Sequence, residues 1–209
     1  MRLTIDPRDA SVLLSLPSRA ALRPALVWAA GKRDWIETEL ARLPEPQPIR
    51  PGMVFSLAGE EVQLNWSPAK PRTVSKTAGN LDIGGPEDGI AARLLRYLRR
   101  EALNILEQET RSLAASHDIT VSKVAVGDPK SRWGSCASSG DIRYSWRLIL
   151  APDEVRRATV AHEVAHRVHM NHGAAFHALV AKMHGADPKP ARQWLRRHGA
   201  SLHWFGCEG

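Results

Sequence analysis

Residues 151–173 read APDEVRRATVAHEVAHRVHMNHG, and this stretch decides how the rest of the chain is read. Pro152, Asp153 and Glu154 open a helix. Proline is tolerated in a first turn, and acidic side chains suit the positive end of the helix dipole. The helix is expected to run to about His169. His162 and His166 then stand one turn apart on the same face. Their ring nitrogens can reach one metal ion at about 2.0–2.1 Å. Glu163 is rotated roughly a third of a turn away. That position suits a group that takes a proton from a metal-bound water, not a ligand.

A catalytic metal of this kind wants three protein ligands and an open position. His169, His172 and His177 are the candidates for the third. A straight helix separates His162 and His169 by about 10 Å, too far for one ion. The third ligand should therefore follow a turn. Asn171 and Gly173 both tolerate left-handed backbone and can supply it. His172 lies between them and is preferred. His177, beside Phe176, is the fallback and reads more readily as packing. The spacing His162, His166, His172 equals that of the metzincin pattern, although His169 stands where that pattern has glycine.

Working outward, Val121–Val126 and Ile142–Leu150 are β-rich and alternating. In the second, Ile142, Tyr144, Trp146 and Leu148 oppose Arg143, Ser145 and Arg147. It is the expected edge strand that would hold a peptide by main-chain pairing. A short strand is expected from Trp133, turning at Ser138–Gly140. Cys136 reads as a buried structural thiol. Upstream, Ile90, Leu94, Leu95, Leu98, Leu106 and Leu113 mark a long helix over about 90–116. Downstream, one helix begins near Gly173 and a last short one spans about 191–197. In the first part, strands at 3–5 and 12–16 flank a turn at Asp6–Asp9. A helix from Ser18 to about Leu43 follows, then a linker with four prolines at 44–51. Strands are expected at 54–57, 62–66, 73–76 and 81–83. Gly84-Gly85-Pro86 is the expected boundary between a small β-rich domain with one helix, 1–86, and a second domain, 87–209. The class is α+β.

Composition sets limits. The chain has 209 residues, 43% hydrophobic and 24% charged, so it can bury a real core. No apolar run reaches the roughly 18 residues of a membrane span, so no membrane is expected as a partner. The N-terminus lacks the apolar core of a signal peptide. Two cysteines, Cys136 and Cys207, cannot make a disulfide scaffold, and a cytoplasmic location is expected. The formal charge is +7. Residues 1–88 are balanced, with 11 basic and 11 acidic side chains; residues 89–209 carry 18 against 11, which is the whole excess. A basic C-terminal part can attract nucleic acid.

The segments Lys130-Ser131-Arg132-Trp133-Gly134-Ser135-Cys136 and Trp146-Arg147-Leu148-Ile149-Leu150-Ala151-Pro152, with HEVAH and Asn171-His172, closely resemble the YgjP-like metal-dependent hydrolases. That family is related to the SprT-like and WLM zinc peptidases. The resemblance extends to the N-terminal half, with its hairpin, Lys32-Arg33-Asp34-Trp35-Ile36 and β-rich segment. It implies a zincin-like C-terminal domain binding one Zn2+ through His162, His166 and His172, with Glu163 as catalytic base. Gly173 stands where the family has serine, and His177 where it has tryptophan; both changes fall at the pocket rim and touch no ligand. The expected activity is a zinc metallopeptidase acting on a peptide or protein. Glu163 would take the proton of a zinc-bound water and pass it to the leaving amine. Two alternatives stand beside it. One is a metal-dependent hydrolase of an anionic substrate, a nucleotide or a protein bound to nucleic acid. The other is a non-enzymatic module with structural zinc. Oligomeric state is left open.

Overall fold

A computed structural model describes residues 1–208. Its spine is the helix that the spacing of leucines predicts, α3 (Ile90–Ala115). Ile90, Leu94, Leu98, Ala102, Leu106, Thr110 and Ala114 are all buried on it. They recur every four residues and so form one stripe, which lets a single helix serve as the wall of a core.

One side of that wall is covered by a four-stranded sheet. Its strands are β3 (Val54–Leu57), β4 (Glu60–Ser67), β5 (Val74–Thr77) and β6 (Asn80–Gly84), in the order β3-β4-β6-β5. β3 and β4 form a hairpin whose turn residues, Ala58 and Gly59, both have positive φ. That is the turn whose twist matches the twist of the strands. β4 and β6 run parallel, Leu64 opposite Leu81 and Trp66 opposite Ile83. Phe55, Leu57, Val62, Leu64, Leu81 and Ile83 alternate with exposed or half-buried positions, so one face of the sheet is dry.

The second sheet has β7 (Lys123–Gly127), β8 (Gly134–Cys136) and β9 (Asp141–Ser145), in the order β7-β9-β8. β9 is parallel to β7 and antiparallel to β8. It is therefore the central strand, paired on both sides. The expectation of an edge strand over 142–150 is corrected here. The alternation stops at Ser145, whose hydroxyl accepts a bond from the Arg147 backbone N–H at 3.4 Å. Trp146–Leu150 then coil into a 3-10 turn with all five residues buried. An apolar run buried on every side carries no strand signal of its own.

Three helices complete this half: α4 (Asp153–Ala165), α5 (Ala174–His184) and α6 (Lys189–His203). α4 ends at His166, short of the expected His169, because the chain turns to reach α5. α6 has 15 residues, far longer than the expected 191–197. Its inward face, Ala191, Trp194, Leu195, Gly199 and Leu202, continues past Arg197 with helical spacing, so the apolar period extends beyond the expected end. In the first part, β1 (Arg2–Ile5) and β2 (Val12–Ser15) make a hairpin, followed by α1 (Leu22–Ala30) and α2 (Arg33–Leu40). The single helix expected over 18–43 is thus two. The break falls at Gly31, the residue whose backbone gains least from staying helical.

The two parts are tied together. The hairpin turn accepts a bond from Trp204 Nε1 at the Pro7 carbonyl, 2.8 Å. Asp9 pairs with Lys130, and the Arg8 guanidinium donates to the Lys130 carbonyl. The proline-rich segment bonds to the end of the chain through Gln47 N–H to Trp204 O, 3.0 Å, and Gly206 N–H to Gln47 O, 2.8 Å. Buried apolar residues form one cluster from Ile49 to Phe205, so the core continues across position 86. Among the described residues no helix is long and apolar enough to cross a membrane. The class is α+β, with helices and small sheets segregated along the chain.

Candidate active site

α4 brings its last turns against β8 and α5. His162 and His166 project from one face of it, as four-residue spacing dictates. The turn at 167–173 returns the chain so that His172 meets them. One ring nitrogen from each of the three lies within 4.8 Å of the others, and His162 Nε2 is 3.2 Å from His172 Nε2. Two imidazoles sharing a tetrahedral ion at 2.0–2.1 Å have nitrogens about 3.3 Å apart. The observed 3.2 Å fits that value.

The tautomer of His166 is fixed locally. His166 Nδ1 lies 3.1 Å from the His169 carbonyl, which only accepts, so Nδ1 carries the proton and Nε2 keeps its lone pair. An outer hydrogen bond of this kind commonly orients a metal-binding imidazole. His169 thus contributes its backbone, while its side chain stands outside the trio. Burial, reinforced by His166 and His172, pushes the His162 imidazole down to about 4. Burial lowers His166 as well. Rings that stay neutral at pH 7 are ready to ligate. Three imidazoles with an open side are a donor set that fits a divalent ion such as zinc.

One residue that sequence reasoning did not single out for this site holds the trio. Phe176, wholly buried on α5, has its ring centroid 4.9 Å from His162, 4.5 Å from His166 and 4.8 Å from His172. It is a wedge between three rings. The His177 ring is 6.3 Å from the His172 ring and belongs to the wall of the adjoining cavity.

Glu163 is 5% exposed. Burial pushes its carboxyl up to about 7, and the charge of Arg132 opposes this. Its neighbour across the site is Gly134, the first residue of β8. A Cβ at that position would sit 2.5 Å from Glu163 Oε1, so any side chain there would displace the carboxyl. This is what the glycine of the Arg132-Trp133-Gly134 run provides. β8 is an edge strand with β9 on one side only. The strand that reaches the site with an open edge is therefore β8. Cys136 lies on the same strand; burial pushes its thiol up, which disfavours a thiolate nucleophile.

Beside Glu163 and His162 opens a cavity of about 230 Å³. Trp133 and Leu195 line it with Ala158, Val180 and Ala191, and its polar side chains include Thr159, His177 and Arg192.

The sequence model of the family described as YgjP-like, metallopeptidase domain, matches residues 1–198. The chain belongs to the YgjP-like family. The match takes in both the N-terminal part and the helix that carries His162, Glu163 and His166. By family this is a metallopeptidase-type, metal-dependent hydrolase, and a divalent metal goes with it. No curated protein and no solved structure gives a significant match. For this YgjP-like chain the imidazole trio is the one group of three or more metal-ligating side chains found among the described residues.

Proposed function

We propose that this chain is a zinc metallopeptidase, with His162, His166 and His172 as ligands and Glu163 as general base. The observation that carries the reading is a buried carboxyl on the helix that brings His162 and His166 to the three-imidazole cluster, packed against the backbone of an open strand edge. A structural zinc site would close its shell with a fourth protein ligand. No fourth side chain joins the cluster among the described residues.

Zinc held there supplies Lewis acidity, lowering the pKa of water to about 7 and polarising a carbonyl. The chain's own residues do the rest. Glu163 takes a proton from the attacking water, holds it on a carboxyl oxygen, and gives it to the departing amine. A carboxyl raised toward neutrality by burial is suited to both steps. The open edge of β8 aligns an extended peptide through main-chain hydrogen bonds. Phe176 fixes the imidazole orientations. The two cysteines are free, which suits action in the reducing cytoplasm.

Metal content and peptide hydrolysis test this together. Wild type and Glu163→Gln should each bind about one zinc per chain, and His172→Ala far less. Hydrolysis of a quenched-fluorescent peptide library should fall by about 10³-fold in Glu163→Gln. Undiminished turnover by that variant would overturn the assignment of the base.

A further inference from the structure

The cavity beside Glu163 is chemically lopsided. Its floor is apolar, built from Ala158, Val180, Ala191 and Leu195, but Arg192 stands at its rim. Arg192 is exposed and makes no ion pair among the described residues, whereas Arg147 and Arg156 each have a carboxylate within 2.8 Å. The surroundings reinforce the charge. α6 contains no acidic residue, and Lys189 and Arg196 flank Arg192 on the same face in an adjoining hollow. Asp187, just before the helix, has an oxygen engaged by the Lys189 backbone N–H at 3.0 Å. Glu163 is the single carboxylate lining the cavity. The volume, about 230 Å³, lies below the range of roughly 300–1,000 Å³ typical of whole-ligand pockets. It suits one side chain.

We propose that this cavity is the subsite for the residue on the leaving-group side of the cleaved bond, and that Arg192 selects a carboxylate on that residue. The proposal rests on the peptidase reading above. Its physical basis is complementarity: an apolar body fills the floor, and an anionic end meets a guanidinium with no internal partner. A lysine or arginine there would face Arg192 and be rejected. Two sources supply the same chemistry. The carboxylate is either the side chain of an acidic residue or the free C-terminus of a substrate whose apolar side chain occupies the floor.

The test uses the zinc-loaded full chain and four peptides sharing one N-terminal half. After the cleaved bond they carry leucine with an amidated extension, glutamate with that extension, lysine with that extension, or leucine as a free C-terminus. At least one carboxylate peptide should exceed the extended leucine peptide about tenfold in kcat/KM. Preference for the glutamate peptide assigns the side chain; preference for the free C-terminus assigns the terminal carboxylate. Arg192→Glu should invert the order in favour of lysine while zinc content stays the same. Unchanged ratios in that variant would overturn the subsite. A second readout separates this from the peptidase reading. N-acetyl-leucine and its amide are titrated into Glu163→Gln, with and without Arg192→Glu, by calorimetry. Tighter binding of the acid that disappears with Arg192→Glu upholds the subsite even if no peptide is cleaved. Equal binding of acid and amide, together with no preference for the glutamate peptide, defeats it even if peptides are cut.

Discussion

Two turns apart on α4 lie two buried charged side chains with opposite surroundings. Arg156, 3% exposed, meets Glu109 with contacts from 2.8 Å and Asp153 at 2.7 Å. Glu163, 5% exposed, has burial and the distant charge of Arg132 acting on it and little else. The first is a satisfied ion cluster that bolts α4 to α3. The second is a carboxyl that lines the cavity without an ion pair among the described residues, its burial opposed only by the charge of Arg132. The contrast teaches how to sort buried polar groups. A paired one holds the fold together, and an unpaired one is kept for chemistry.

The largest expected effect lies at the satisfied end. Arg156→Ala leaves Glu109 and Asp153 with only the longer contacts of Arg157, 3.5 and 3.7 Å, and should cost about 3 kcal/mol of stability, read by urea unfolding. The hydrolysis rate per folded molecule should hold. A loss of rate without a loss of stability would erase the distinction between the two ends of α4. Next comes the wedge. Phe176→Leu should cost about 1–2 kcal/mol of stability, since the smaller side chain leaves space in a fully buried position. Its sharper effect should be on the imidazoles it orients, weakening zinc about tenfold or more. Competition with a zinc chelator measures this, and unchanged zinc affinity would reduce Phe176 to ordinary core. Smaller again is Gly134→Ala. The added methyl meets Glu163 Oε1, so kcat should fall about tenfold while zinc content and melting temperature stay near wild type. A fully active Gly134→Ala would show that Glu163 works from another position.

What was readable in the sequence follows how local each signal is. His162, Glu163 and His166 are fixed by helical spacing, and His172 by a turn a few residues on, so the geometry of the trio could be anticipated. The stripe on α3 was equally legible, since one helix and one period define it. The misreadings share a different cause. Whether residues 142–150 lie at the edge or the centre depends on which strands pair with them, and β7 and β8 are set by distant segments. Trp146–Leu150 continue the strand's apolar pattern yet coil, because burial on every side leaves no period to read. Gly134, Phe176 and Arg192 gain their meaning by approaching Glu163, the imidazoles and the cavity from other elements. A glycine at the start of a strand, a phenylalanine on a helix and an arginine on another carry no mark of those meetings.

The weakest expected effect tests whether a satisfied pair matters when it is only half covered. Asp128 accepts two bonds from the Arg147 guanidinium, at 2.8 and 3.2 Å, but keeps 34% of its side chain exposed. Burial alone would raise its carboxyl; the bonds from Arg147, with Trp146 and the charges of Arg147 and His203, together outweigh this and hold it below the ordinary value. A carboxyl depressed in the folded state stabilises the fold above the unfolded pKa, about 3.9, and loses that contribution as pH falls through the folded value. Wild type should therefore exceed Asp128→Asn in stability at pH 7 by no more than about 1 kcal/mol, solvent screening being strong at such exposure. The gap should close as pH drops below about 4. Arg147 keeps its bonds to the Leu202 and Phe205 carbonyls in the variant, so the end of α6 should remain docked. Melting temperatures of both proteins between pH 7 and pH 3 decide the matter. A gap that persists to pH 3 would mean that Asp128 acts through shape or neutral hydrogen bonding, and that charge pairing stabilises this fold only where, as at Arg156, water is excluded.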